Sequence, residues 1–320
     1  MSRIVATSAA LFALVVMTPS VGAPPPGSPA AASVPRQGRV ETFQFSMPQL
    51  GGRTRTIRVY LPAAYDSSGA SYPVLYLQDA QQLFAPGPFG DWLIDETLDR
   101  MTERSPTEAL IVVGVDNSER RWDEYSPWVN PHLYDWIDSS WAKPSQGGEG
   151  SAYLDFLATT LRPHIDRKYR TLADRDHTGI GGSSMGGLIA LYGGLARPDV
   201  FSKVMAMSTA VWFAEAGGPW LSDNRLVQFA GAHAPTNVRF YLDVGSNERS
   251  RDREPDVKDA SNRPLSYPRA YVDGSEAVAE ALRAAGVPAD NLRLLVVPGG
   301  IHNETAWSVR FESAVRWLYR

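Results

Sequence analysis

The chain contains no cysteine among its 320 residues. This absence excludes a thiol nucleophile, a disulfide framework and a thiolate metal site. The sequence also lacks the H-E-x-x-H spacing of a zinc site, a P-loop and a dinucleotide-binding glycine fingerprint. No dense lysine and arginine cluster is present and the formal net charge is -4, so nothing indicates a nucleic-acid partner. We therefore expect chemistry that needs neither a metal nor a cofactor.

The N-terminal segment resembles a targeting signal. Arg3 precedes an apolar run over residues 4–17, and small residues follow at Val21, Gly22 and Ala23. The run is too short to span a bilayer comfortably and is typical of a secretory h-region. We predict a signal peptide over residues 1–23, with an uncleaved anchor as the alternative, and no stable membrane anchor in the mature chain.

The sequence predicts a single folded domain after a short linker. Residues 24–37 are rich in Pro, Ala, Ser and Gly, which is typical of a flexible linker. No repeat or second linker follows, so residues 38–320 form one predicted domain. An exported chain without cysteine fits a bacterial periplasm or secretion, because its folding does not depend on oxidation. The sequence does not indicate an oligomeric state.

Short apolar runs alternate with helical patterns along this domain. Such alternation predicts an α/β fold with a mainly parallel central sheet, covered by helices on both faces, and with chemistry at the carboxyl ends of the strands. The run at 55–60 alternates and ends just before Pro62, like an edge strand. Predicted strands lie at 55–60, 74–77, 110–115, 178–181, 204–207, 239–244 and 292–297, and predicted helices include 153–169 and 275–285.

The most informative motif lies at residues 182–186, which read Gly-Ser-Ser-Met-Gly. It fits G-x-S-x-G with Ser184 at the centre, the pattern of a nucleophilic serine on a sharp strand-to-helix turn. Residues 178–181 are partly β-prone, and residues 188–192 continue with apolar helical spacing, as that turn requires. A glycine-rich turn without catalytic function is the alternative. The flanks favour Ser184 as the nucleophile of an α/β-hydrolase.

A serine nucleophile needs a histidine base and an acid that orients the histidine. In α/β-hydrolases the chain order is Ser, acid, His. His302 follows the last predicted strand, whereas His233 precedes a strand and lies at the wrong end. We therefore predict His302 as the base. Glu248, in the loop after strand 239–244, is the predicted acid, with the alternatives Asp243 and Asp252.

The oxyanion hole of such an enzyme uses two backbone N–H groups. Met185, directly after the serine, is predicted to supply one. Ala80, in the loop after strand 74–77, is predicted to supply the other, with Gln81 as the alternative. Trp212 and Trp128 are predicted substrate contacts, because aromatic side chains near a cleft stack on sugars or aromatic acyl groups. Gln81 is a further predicted substrate contact. Ordinary packing is the alternative for each tryptophan, including Trp122, Trp136 and Trp141.

Several segments together resemble the esterase-D and enterochelin-esterase-like family of α/β-hydrolases, which includes feruloyl, acetyl-xylan and siderophore esterases and mycolyltransferases. The resemblance implies Ser184, Glu248 and His302 as the triad. The sequence departs from the family at Gln78, where many members have His, and at Ala80, where many have Gly. The matching segments read VLYLQDAQQLF at 74–84, VGVDN at 113–117, GSSMGG at 182–187, DVGSNE at 243–248 and GIHNE at 300–304, followed by Trp307.

These features predict an exported serine esterase that hydrolyses carboxylic esters through an acyl-enzyme. Its predicted partner is a small-molecule or carbohydrate-linked ester. Acyl transfer to a sugar or lipid hydroxyl uses the same triad and is the first alternative; hydrolysis of an enterochelin-type siderophore, implied by the resemblance, is another. A non-catalytic binding module on the same fold is the third.

Overall fold

The computed structural model describes residues 37–87, 90–138, 140, 143–216, 220–249, 255–259 and 261–320. All of these residues belong to one compact unit. The predicted signal peptide, most of the predicted linker, Trp141 and Asp252 lie outside the described residues.

The described residues form one eight-stranded sheet and a separate two-stranded ribbon of β5 and β6. The order across the large sheet is β1-β2-β4-β3-β7-β8-β9-β10. From β4 to β10 neighbouring strands are parallel, which confirms the predicted mainly parallel sheet. The strands are β1 (Arg39–Met47), β2 (Arg53–Leu61), β3 (Val74–Gln78), β4 (Ile111–Val115), β5 (Val129–Asn130), β6 (Gln146–Gly147), β7 (Thr178–Ser183), β8 (Lys203–Met207), β9 (Arg239–Gly245) and β10 (Leu292–Val297).

Strand β2 is not the edge strand that the sequence predicts. It pairs antiparallel with β1 on one side and with β4 on the other, so β1 forms the edge. Polar and apolar residues alternate along β2 because one face of the strand is polar. An antiparallel strand shows this alternation both at the edge and inside a sheet, so the pattern does not identify an edge strand. The prediction was wrong because β1 itself was not recognised.

The helices of the described chain cover both faces of the sheet. A π-helical segment, Phe156–Leu161, joins two of them into the helix predicted at 153–169. The helices are α1 (Tyr65–Ser68), α2 (Ile94–Arg104), α3 (Arg121–Glu124), α4 (Leu133–Trp136), α5 (Gly150–Asp155), α6 (Arg162–Lys168), α7 (Met185–Ala196), α8 (Arg225–His233), α9 (Tyr267–Ala284) and α10 (Glu304–Tyr319). Short 3-10 turns include Pro48–Leu50, Ala80–Gln82, Pro106–Glu108, Arg175–His177, Val211–Ala214 and Ala289–Asn291.

Alternate residues of the central strands enter two different hydrophobic clusters. In β3, Val74 and Tyr76 belong to one cluster, and Leu75 and Leu77 belong to the other. Successive side chains of a strand point to opposite faces, so the two clusters lie on opposite sides of the sheet. Helices α5 to α9 contribute to the first cluster, and α2 and α10 contribute to the second. No helix of the described residues is long and apolar enough to cross a membrane.

Candidate active site

Ser184 lies on the turn between β7 and α7, with φ 57° and ψ -121°. This is a strained conformation for a residue with a side chain. Flanking glycines make the turn possible. A Cβ on Gly182 would lie 2.8 Å from the backbone carbonyl carbon and oxygen of Gly186, and one on Gly186 would lie 3.1 Å from Cβ of Gln78. The local geometry is that of a nucleophile elbow.

The loops after β9 and β10 are joined by backbone contacts. The amide of Asn247 donates to Gly300 O at 2.9 Å, and the amide of Ser246 donates to Val297 O at 2.9 Å. A Cβ on Gly245 would lie 2.2 Å from Gly300 O, so only glycine allows this approach. The contacts hold the loop that carries Glu248 against the loop that carries His302.

Glu248 is the carboxylate in contact with His302. The distance from His302 Nδ1 to Glu248 Oε2 is 2.7 Å. With its Nδ1 proton donated to Glu248, His302 has Nε2 as its acceptor nitrogen. Asp243 lies inside β9, 3.4 Å from Arg310, and is therefore paired elsewhere. His233 lies at the end of α8, where its ring stacks on Phe229.

Glu248 is completely buried, yet it favours the ionised form. Burial raises its pKa, but hydrogen bonds from His302, Ser208 and the Gly245 amide, with the charge of His302, hold the pKa below its ordinary value. The Ser208 hydroxyl and the Gly245 amide both donate to Oε1 at 2.6 Å. A buried carboxylate with these donors can orient the imidazole and stabilise its positive charge.

The two predicted oxyanion donors both begin helical turns. Met185 is the first residue of α7, and Ala80 begins the turn Ala80–Gln82 directly after β3. Both residues are buried, and neither amide N–H has an acceptor within the part of the chain that the structure describes. Such N–H groups at the start of a helical turn are available to an anion.

The Ala80 turn is fixed by its neighbour Asp79, which has a positive φ of 59°. Arg121 binds the two Asp79 carboxylate oxygens with its Nε and Nη2 at 2.7 and 2.9 Å. Asn117 Nδ2 donates to the same carboxylate at 2.5 Å, and the Tyr125 hydroxyl accepts from the Asp79 amide at 3.3 Å. Two-point binding by a guanidinium fixes orientation as well as distance. Gln78 binds the Tyr153 hydroxyl with its side chain.

Ser184 and His302 line one cavity of about 350 Å³. One part of its wall is aromatic, and another is polar, with Asp79, Asn117 and Arg121. The aromatic part consists of Trp92, Trp122, Trp212, Tyr267, Tyr271 and Trp307.

Of the three predicted substrate residues, Trp212 lines the cavity, whereas Gln81 and Trp128 are not among its described lining residues. Trp212 lines the cavity, and its ring stacks on Trp136 with centroids 5.2 Å apart. Gln81 is not among the described residues of the wall; its Oε1 accepts from the Asn117 amide at 3.1 Å. Trp128 packs edge-on against Tyr192 and Phe229 instead of lining the cavity. Position therefore supports a substrate contact for Trp212 and a packing role for Trp128.

Tyr271 is a cavity residue that the sequence reasoning missed. Its ring centroid lies 4.7 Å from that of His302. Burial raises the pKa of Tyr271 well above its ordinary value, although interactions with Trp212 and Ser184 lower it, so the hydroxyl is protonated at neutral pH. Tyr271 belongs to α9, and no local motif marks it; its periodic apolar neighbours indicate only a helix.

Among the described residues, no group of three or more His, Asp or Glu side chains could hold a metal ion.

The sequence profile of the Esterase family matches residues 49–318. The chain belongs to the Esterase family. This membership confirms the predicted family and the prediction of a carboxylic ester hydrolase.

Relatives of this esterase include proteins with and without a named activity. The Bacillus subtilis protein YbbA is 25% identical over 265 residues, which cover 83% of this chain and 92% of YbbA. The siderophore enterobactin esterase of Emericella nidulans is 28% identical over 156 residues, covering 46% of this chain and 49% of that protein. The match therefore spans about half the length of that siderophore esterase.

Solved structures confirm the α/β-hydrolase fold of this esterase. A ferulic acid esterase superposes with a TM-score of 0.59 at 22% sequence identity, over 88% of this chain and 97% of that one.

Proposed function

We propose that this esterase hydrolyses carboxylic esters through an acyl-enzyme on Ser184. His302 accepts the proton of Ser184 as Oγ attacks the ester carbonyl, and the amides of Met185 and Ala80 bind the oxyanion. The protonated imidazole then gives its proton to the leaving alcohol. Water, deprotonated by His302, then attacks the acyl-enzyme. The bond between the acyl carbon and Ser184 Oγ breaks, the imidazolium returns its proton to Oγ, and the acid is released. The observation that carries the proposal is the shared cavity of Ser184 and His302, with Glu248 bound to His302 at 2.7 Å.

We further propose that the acyl group is aromatic. The cavity wall carries Trp212, which lies in the 3-10 turn after β8, and Trp122, whose ring stacks on Phe213 with centroids 5.6 Å apart. Flat aromatic walls bind flat acyl groups by offset or edge-on ring contacts. The proposal agrees with relatives named for enterobactin and ferulic acid.

The test compares methyl ferulate with methyl acetate in the parent enzyme and in Ser184→Ala. We expect kcat/KM for the ferulate ester to exceed that for the acetate ester at least tenfold in the parent. We expect Ser184→Ala to lose about six orders of magnitude in kcat on either ester, because the remaining oxyanion donors cannot replace the nucleophile. Full activity of Ser184→Ala would contradict the serine mechanism, and equal preference for the two esters would contradict the aromatic substrate class.

We also propose that the chain is exported and that residues 1–23 are its signal peptide. The proposal rests on the charged, apolar and small-residue segments of the N-terminus. Residues 38–320 would then be the catalytic domain of the exported protein.

A further inference from the structure

Ser208 is a buried serine that no catalytic motif marks. It follows β8 directly, and its φ of 44° lies in the left-handed region. Its amide donates to Asp243 O at 2.7 Å, which fixes the backbone against β9. A non-glycine residue persists in this conformation only where surrounding contacts stabilise it, and such residues cluster at functional sites.

The Ser208 hydroxyl is fully used in hydrogen bonds. It donates to Glu248 Oε1 at 2.6 Å, and it accepts from Trp307 Nε1 at 2.8 Å and from Arg310 Nη2 at 3.3 Å. The indole and guanidinium N–H groups are donors only, and a hydroxyl has one proton and two lone pairs. Trp307 and Arg310 therefore occupy both lone pairs and direct the hydroxyl proton toward Glu248.

This arrangement leaves one carboxylate oxygen for the base. Oε1 of Glu248 is held by Ser208 and by the Gly245 amide, so Oε2 faces His302. The Trp307 ring also meets the His302 ring edge-on, with centroids 5.0 Å apart at 83°. Trp307 thus contacts the base directly and the acid through Ser208.

We propose that Ser208 and Trp307 are positioning residues for the Glu248–His302 pair. The inference rests on the proposed function of that pair. Trp307 and Arg310 both belong to α10, so the C-terminal helix sets the orientation of the acid through a single hydroxyl. Arg310 Nη2 also lies 3.4 Å from Asp243 Oδ1, which places the guanidinium between β9 and Ser208.

The test is a double-mutant cycle with Ser208→Ala and Trp307→Phe, assayed with p-nitrophenyl acetate. Each single variant should lose about tenfold in kcat, the value of one hydrogen bond to a charged network, with KM within about twofold. The double variant should lose no more than Ser208→Ala alone, because the indole N–H acts through the Ser208 oxygen and phenylalanine keeps an aromatic ring beside His302. Trp317→Phe, a buried tryptophan of α10 that contacts Tyr241, is the control and should keep the parent kcat.

A second readout separates positioning from loss of stability. The downfield proton resonance of His302 Nδ1 should shift in Ser208→Ala and in Trp307→Phe, and stay in place in Trp317→Phe. Parent kcat in either folded single variant, or losses that multiply in the double variant, would overturn the inference. If Ser208→Ala does not fold, Trp307→Phe alone decides by the same criteria for kcat and for the resonance. Activity in Ser184→Ala would mean that the proposed function has failed, whereas an inactive Ser184→Ala beside fully active positioning variants would mean that only this inference has failed.

Discussion

The elbow of this esterase depends on two glycines, because a side chain at either position would crowd the turn. Ser184 has a strained backbone, and the turn closes because Gly182 and Gly186 approach within a distance that no Cβ tolerates. The motif marks both glycines as required, and the structure identifies the atoms that a side chain at each position would meet. The distance from an added Cβ to its nearest atoms distinguishes glycines that the site requires from glycines that it does not require.

Gly182→Ala should damage the site, and Gly231→Ala should not. A Cβ on Gly182 would lie 2.8 Å from backbone atoms of Gly186, so the turn must shift. We expect this shift to lower the free energy of unfolding by about 1–3 kcal/mol and to abolish most of the activity. Gly231 lies in α8, where the nearest atom is 4.0 Å from its Cβ, and alanine there should stabilise the helix by up to about 1 kcal/mol. Chemical denaturation and kcat measurements check both variants. Equal effects of the two substitutions would contradict this reading of the turn.

Site residues that belong to a local pattern could be predicted from the sequence. Ser184 has its motif, and Glu248 and His302 follow strands in the expected order. Ser208 and Tyr271 could not be predicted, because their contacts join elements that are distant in sequence. No local spacing encodes the approach of α9 and α10 to the carboxyl ends of the strands.

At the scale of elements, the buried strands were the most predictable. Continuous apolar runs such as Ile111–Val115 and Val74–Gln78 are strands at nearly the expected bounds, because strands covered on both faces leave that pattern. Helix starts were less predictable. Helix α9 begins at Tyr267, before the predicted residue 275, since Pro268 is tolerated in the first turn of a helix. The edge strand β1 was missed although Phe43, Phe45 and Met47 alternate with polar residues, which is the pattern of a half-buried strand.

The burial of Asp243 in β9 makes stability depend on pH. Asp243 of β9 is buried, and burial raises its pKa to about 7, although Arg310 of α10 opposes the shift. The folded state therefore holds this proton more tightly than the unfolded state, whose aspartate titrates near pH 4. The stabilising contribution is complete below about pH 4 and is lost as the pH rises toward 7. Asp243→Asn cannot titrate and should lack this dependence.

Chemical denaturation at several pH values checks this prediction. The free energy of unfolding of the parent, minus that of Asp243→Asn, should fall between about pH 4 and pH 7. A difference that is constant or rises over that range would contradict the assignment.

At the scale of the whole molecule, the layer arrangement was predictable but the strand order was not. Alternating strands and helices indicate a parallel sheet with two covered faces, and the two hydrophobic clusters occupy those faces. The position of β4 between β2 and β3 depends on a crossover that no local pattern records. The strand order brings the ends of β3, β7, β8, β9 and β10 together, and Ser184, Glu248 and His302 follow the ends of β7, β9 and β10.

The proposed organisation of the chain predicts processing near residue 23. Expressed with its N-terminal segment in a bacterial host, the protein should be recovered outside the cytoplasm without that segment, because the apolar run and small residues meet the needs of signal peptidase. Intact-mass analysis and N-terminal sequencing measure the cleavage site. A full-length N-terminus on the exported protein would contradict the signal peptide.

The central claim is that Ser184 is the nucleophile, and covalent labelling tests it most directly. The parent enzyme is treated with a fluorophosphonate, which reacts with activated serines, and the modified residue is identified by peptide mass spectrometry. Ser184 should carry one adduct, and Glu248→Gln should label more slowly, because its imidazole is less well oriented. A folded parent that acquires no adduct, or an adduct on another serine, would contradict the account.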